Sequence, residues 1–507
     1  MKIKRVAIVG GGTAGWLAAN HLGVELSRDP EIEITLIESK DIPIIGVGEG
    51  TVPQIKATLK RFGIAEIDLL STCDATFKQG IKFAHWMDAQ KHGADNFYYH
   101  PFSSPYPSGF DVTNYWLNNK SAFEFSKLSE IYSVAEMNRS PKQKSSPPYM
   151  GLVDYAYHFN ALKFADLLAK NAREKFAVKH IFETISQVLL NADGSIKGFV
   201  YASGSEEEFD FFIDCTGFSS LLIGETLGVP FLDKSAQILT DTALAIQEPI
   251  AESNEILPYT LATAHKAGWI WDIPLTHRRG VGFVYSSRHM TESEAVGTFS
   301  TYFGRDLEDA NLRKIPMTIG YRESFWKKNC VALGLAQGFV EPLEATSILV
   351  TDFAALLVAR NFPKMINDIP IVSECCNKAV RYTWERVIDF VQLHYLISDR
   401  RDSQFWIDNT ENSVMSDVLR ERLELWKIGV PKKTDFFSSF DIFGVENHLF
   451  VLYGMDYPTR PGVLGANEES RSKELVRAVQ DKSLQMGNSL MSHRAWLSEL
   501  KQALASR

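Results

Sequence analysis

The chain has 507 residues, 45% of them hydrophobic and 23% charged, with a formal net charge of −9. That length implies two to four domain-sized units, or one large core with a decorated second lobe. The acidic balance argues against nucleic acid or an anionic membrane as the main partner, and no run of about 18 apolar residues offers a membrane span.

The first residues enter a strand pattern at once, without the apolar region and cleavage site of a secretory signal. An apolar run, Arg5–Val9, meets three glycines and then the helical period of "TAGWLAANHLGVEL" (13–26). A second strand, Ile32–Ile37, ends in Glu38, which completes a βαβ opening. A glycine-rich loop, "IIGVGEGTVP", covers 44–53. Residues 100–150 are rich in Pro, Ser, Tyr and Asn, and "NRSPKQKSSPP" (138–148) reads as a mobile surface loop. An amphipathic helix is expected over 160–176, a hairpin across Asp193–Gly194, and buried strands ending in glycine turns at 209–217 and 330–339. Between them "AGWIWDIPL" (267–275) sets Trp269 and Trp271 on one face of an extended segment. An apolar helix follows at 347–360, and beyond 370 the pattern is helical, with charged amphipathic stretches at 415–427 and 468–505. The five cysteines (Cys73, Cys215, Cys330, Cys375, Cys376) lack metal-ligand spacing and read as reduced thiols of a cytoplasmic protein.

Gly10, Gly12, Thr13, Ala14 and Gly15 fit G-x-G-x-x-G between a strand and a helix. Glycines let the backbone turn tightly and meet a pyrophosphate at a helix N-terminus. Glu38, 23 positions after Gly15, is placed to accept from ribose hydroxyls. FAD is favoured over NAD because distant glycine turns, at Gly48, at 213–218 and at Gly334, point to one long ligand. A simple NAD domain would close within about 150 residues. The fold class expected is α/β, with a Rossmann-type FAD-binding module.

"GGGTAGW" (10–16), the W-x-W-x-I-P motif of Trp269, Trp271, Ile273 and Pro274, and "GFVEPLEATSI" (338–348) together carry a resemblance to flavin-dependent halogenases of the tryptophan halogenase family. It covers residues 1–365 well and the rest poorly. It implies a flavin-monooxygenase-like module over 1–365, with a substrate-side insertion near 100–150, and a largely helical module over 366–507 that covers the substrate. It also implies FADH2 from a separate flavin reductase, oxygen, a halide, and hypohalous acid as the halogenating species. Lys78 matches the family's catalytic lysine and Glu344 its second catalytic residue, with Glu341 as the local rival. Thr346 and Ser347 open a helix whose amides suit a halide, a role compatible with plain capping. Trp269 and Trp271 are candidates for a wall between flavin and substrate, with core packing as the other reading. His100 and Phe102 occupy the place of the family's aromatic sandwich, where a packed loop is the other reading.

One departure bears on the substrate. Tryptophan-specific members grip the amino acid with paired tyrosines, an acid and a tryptophan. Here "DFFSSFDIFGVENHLFVLYGM" (435–455) has Phe436–Phe437 and no tryptophan, with His448 in the vicinity. A buried zwitterion needs partners for both charges, so an indole or another electron-rich aromatic is favoured over free tryptophan. A flavin-dependent aromatic hydroxylase, or a flavin-binding protein without catalysis, are the rival readings; halide preference and a homodimer are left open.

Overall fold

The computed structural model describes residues 1–41, 48–308 and 310–506; the first part of the loop over 44–53 therefore lies outside the described residues. Arg5–Val9, apolar and buried after its first residue, sits inside a six-stranded sheet. The sheet order is Trp326–Lys327, Cys330–Ala332, Phe211–Asp214, Arg5–Val9, Glu33–Glu38, Lys179–Phe182. Only the Trp326–Lys327 edge pairs antiparallel. Parallel strands buried on both faces read as continuous apolar runs, as Val6–Val9 and Phe211–Ile213 do at the centre of this sheet. Helices Thr13–Leu26, Ala161–Phe176 and Thr346–Arg360 pack beside one another on this sheet's N-terminal unit.

A second, seven-stranded sheet runs Arg313–Pro316, Thr242–Pro249, Arg278–Tyr285, Gly268–Pro274, Thr260–His265, Gly80–Ala84, Phe97–Pro101. All its pairs are antiparallel except Thr260–His265 with Gly80–Ala84. A three-stranded sheet joins Glu49–Gly50 and Thr76–Lys78 to either side of Ala156–Phe159. The helical part begins with the 28-residue helix Ile369–Leu396. Its buried face, from Val380 to Tyr395, belongs to the same apolar cluster as Ile8, Trp269 and Trp496. No helix among the described residues is long and apolar enough to cross a membrane.

One expectation needs correction. The 138–148 segment is pinned where its composition suggested mobility: Ser140 and Lys142 are buried, and Lys142 Nζ donates to Glu66 Oε2 at 2.7 Å. Glu66 also accepts from the hydroxyls of Tyr155 and Tyr157 and from the Tyr149 amide. A buried ion pair with its remaining acceptors filled overrides local Pro and Ser content. The 468–505 stretch is helical as expected, in the helices Ala466–Ser489 and His493–Ala505, with Ser492 capping the second through the Ala495 amide.

Candidate active site

Lys78 ends the strand Thr76–Lys78, opposite Ala156, and its side chain is buried. No hydrogen-bond acceptor for Nζ is found among the described residues; the Phe102 ring centroid lies 5.3 Å away. A Cβ on Gly50 would come within 3.2 Å of Nζ, so the missing side chain at position 50 leaves the lysine its space. Burial lowers the Lys78 pKa to about 7, and only the charge of Glu344 pulls the other way. The neighbours are uncharged polar groups: His158, pushed well below its ordinary value by burial and by Lys78, donates to or accepts from Thr260 Oγ1 at 2.8 Å.

Glu344 closes the short turn Pro342–Glu344, after which Ala345 takes a left-handed conformation (φ 54°) and helix Thr346–Arg360 begins. That kink turns the glutamate inward. His100 Nδ1 lies 2.9 Å from both carboxylate oxygens. His394 Nε2 approaches Oε1 at 3.0 Å, off the best N–H line, and its Nδ1 meets the Tyr98 hydroxyl at 2.7 Å. Burial alone would raise the Glu344 pKa; the histidines that face it, His100 first and then His394, overcome this and hold the carboxyl below its ordinary value.

Thr346 and Ser347 are the first residues of their helix, and no side chain caps it; the capping position is Ala345. Thr346 is buried, and its Oγ1 has no hydrogen-bond partner among the described residues. The helix start thus presents amides without a side-chain cap two residues from Glu344.

The glycine loop has the close contacts its motif requires. Gly10 (φ 115°) leaves no room for a Cβ against the Cys215 carbonyl, and Gly15 none against the Gly10 carbonyl. Gly12 faces open space and begins helix Thr13–Leu26 without a side-chain cap. Glu38 lies against Gly11, and the partner of its carboxylate among the described residues is His180, whose Nε2 lies 2.7 Å from Oε1. Gly334 (φ 64°) comes up against Ala14, so the late turn does return to the first helix. Gly48 (φ 140°) packs on Ile273 and Gly280.

The tryptophan strand Gly268–Pro274 runs between these parts. Trp269 Nε1 donates to Glu341 Oε1 at 3.1 Å, and Trp271 lays its ring over its cross-strand partner Gly282. The two rings are 6.2 Å apart and both are buried. Ile273 touches the Gly48 loop, and the Pro274 carbonyl accepts from Thr76 Oγ1 at 2.7 Å, bracing the strand that ends in Lys78.

The family model for tryptophan halogenase matches residues 5–467. The chain belongs to the tryptophan halogenase family. It is 32% identical to tryptophan 7-halogenase RebH of Lentzea aerocolonigenes, covering 98% of this chain and 99% of that one. Among solved structures, a tryptophan halogenase from Shewanella frigidimarina shares 36% identity with a TM-score of 0.95, covering 99% and 98% of the two chains. A flavin-dependent halogenase from Xanthomonas campestris shares 32% identity with a TM-score of 0.88, covering 99% of each. The chain is accordingly an enzyme, an oxidoreductase of the flavin-dependent halogenase class, with the α/β FAD-binding fold.

Three residues of this halogenase's site escaped the sequence reading. His394 and Tyr98 complete the surroundings of Glu344. The third is Asn447, whose Nδ2 lies 3.0 Å from His100 Nε2. Glu341, the local rival of Glu344 in the sequence, anchors Trp269 while also accepting from Tyr395 and Thr240. The neighbour of Asn447, His448, turns away: its Nδ1 lies 2.9 Å from the Gly444 carbonyl and its ring packs against Phe390, Trp426 and Phe436. Phe437 is 90% exposed and lines nothing.

Proposed function

We propose that this enzyme installs chloride or bromide on an indole, using FADH2 from a separate flavin reductase, oxygen and halide. The observation that carries the reading is a buried lysine with no hydrogen-bond acceptor among the described residues, its pKa lowered to about 7, in the field of an anionic glutamate. Such a pair is built for a reaction that polarises an electrophile and then meets a cationic intermediate.

The glycine loop fits FAD. The amides of Gly12, Thr13 and Ala14, at an uncapped helix start, would take the pyrophosphate, with Gly10 and Gly15 allowing the approach. Glu38 would hold the ribose, and Gly48 and Gly334 would close on the cofactor. When bound, reduced FAD with oxygen and halide supplies hypohalous acid.

Lys78 acts on that acid. As ammonium it donates a hydrogen bond and makes the halogen more electrophilic; as amine it can accept the halogen itself, and near pH 7 both forms are present. Glu344 stabilises the arenium cation and takes its proton. Thr346 and Ser347 offer their amides to halide. Trp269 and Trp271 exclude the organic substrate from the cofactor side, with Ile273 and Pro274 tying that wall to the Gly48 loop and the Lys78 strand. Phe102, beside Lys78, and His100, on Glu344, border the aromatic ring.

Free indole suits the site better than L-tryptophan. The 435–455 stretch contains no lysine or arginine to meet a carboxylate. Asp435 accepts from Trp426 Nε1 and Asp441 from Arg422, so two of the three carboxylates of the stretch are engaged and Glu446 alone is left to meet an ammonium. Lys78→Ala tests the reading. It should leave oxidation of FADH2 by oxygen intact and abolish carbon–halogen bond formation; near wild-type halogenation by this variant would refute the role of Lys78.

A further inference from the structure

Asn447 stands at the start of helix Val445–Gly454, in the part of the chain that follows the two sheets, and reaches back to the catalytic carboxylate through one imidazole. Its amide has a defined orientation. The Gly444 backbone N–H can only donate, and the atom of Asn447 that it meets, at 2.9 Å, is Oδ1. The NH2 group is therefore the one turned toward His100 Nε2, 3.0 Å away. An NH2 has only protons to offer, so Nε2 must accept. The remaining ring nitrogen, Nδ1, then carries the single proton and donates it to Glu344, equidistant from both oxygens at 2.9 Å.

We infer that Asn447 is a positioning residue that holds His100 as the neutral Nδ1–H tautomer, so that Glu344 receives a hydrogen bond from His100 without having its charge cancelled by an imidazolium. The inference rests on the assignment of Glu344 as the catalytic carboxylate. Its chemical point is charge economy. A cationic His100 would neutralise Glu344 in a buried site and leave little field for Lys78 or for a cation formed on the substrate ring. A neutral donor fixes the carboxylate in place and preserves its negative charge. The chain of donors runs one way: Gly444 N–H to Asn447 Oδ1, Asn447 N–H to His100 Nε2, His100 N–H to Glu344. Nothing in that chain can donate a proton to Nε2 for keeps. The His100 ring is further held between Phe390 and Phe450, at centroid distances of 5.9 and 6.2 Å, which offer no hydrogen-bond acceptor to Nε2.

Nitrogen NMR of the full-length, FAD-loaded protein labelled at histidine with 15N reads the tautomer directly, with His100 assigned by its loss in His100→Gln. The expected result is an Nδ1-protonated, Nε2-bare ring at pH 7. A doubly protonated ring, or the Nε2–H tautomer, overturns the inference without recourse to any variant of Asn447. Asn447→Asp changes the donor into an acceptor of the same shape. It should convert His100 to the doubly protonated form and lower kcat for indole about tenfold or more, with KM changed less than about threefold. Asn447→Asp with an unaltered ring or with wild-type kcat also overturns it. The two readings separate cleanly: a bare Nε2 in a protein that does not halogenate refutes the proposed function alone, and a cationic His100 in an active halogenase refutes this inference alone.

Discussion

Glu341 and Glu344 sit three residues apart on one turn, both buried, yet their carboxyls are driven in opposite directions. Burial raises Glu341 to about 7, while the histidines around Glu344 hold it below its ordinary value. The difference favours Glu344 over Glu341 as the anion of the proposed mechanism. Glu344→Gln should retain FAD and the fold but lose most turnover. Glu341→Gln should keep most of it, because a glutamine oxygen can still accept from Trp269 and Tyr395. Steady-state halogenation rates of the two variants check this, and the opposite ranking would show that the wrong acid was assigned.

Glu341 also makes stability depend on pH. Its folded-state pKa is raised, so its contribution is fully present below about pH 4.5 and is lost as pH rises to about 7. The loss is roughly 3 kcal/mol at most for a shift of this size. Glu49, raised to about 7 by burial, adds a decline of the same sign. Denaturant titrations at pH 5 and pH 7.5 should show a shallower decline in Glu341→Gln than in the wild type.

Lys78 is held at a cost to the fold. With its pKa lowered to about 7 by burial, the folded state is penalised wherever the unfolded lysine is protonated, most of all below pH 7. The penalty shrinks as pH rises from 7 toward 10.5. Lys78→Met should therefore be more stable than the wild type, by up to roughly 5 kcal/mol at pH 6 and about 2 by pH 9, while inactive. Equal stability at both pH values would mean that Lys78 is hydrated and ordinary.

The tryptophan wall can be displaced without cutting it away. A Cβ on Gly282 would fall inside the Trp271 ring, so Gly282→Ala must move that ring. Tryptophan fluorescence should change, and halogenation per FADH2 oxidised should fall, with hydroxylated product or free peroxide accounting for the difference. A variant with displaced fluorescence and unchanged halogen yield would reduce Trp271 to core packing.

The opening βαβ unit was legible almost to the residue, because its strands and its helix at Thr13–Leu26 are set by local periodicity and three glycines. The pairing of Trp269 with Trp271 on one face followed from strand alternation alone. What the sequence hid was which distant polar groups meet. His394 lies in an apolar helical face, and nothing in "DFVQLHYL" announces a carboxylate 50 positions upstream. Asn447 and His448 are adjacent, and successive helical residues point about 100° apart, so one reaches His100 while the other bonds its own turn at Gly444. Lys142 shows the reverse error, where Pro- and Ser-rich composition masked a buried anchor.

The most direct test of the account is product mass spectrometry after turnover of equal concentrations of indole and L-tryptophan, with FAD, a flavin reductase, oxygen, and either chloride or bromide. The account predicts halide-dependent haloindole in excess of halotryptophan, with substitution at C3, the ring position most activated in indole, and no such product from Lys78→Ala. Halotryptophan as the dominant product would contradict the reading of the 435–455 stretch, and a hydroxylated indole formed equally well without halide would contradict the halogenase account itself.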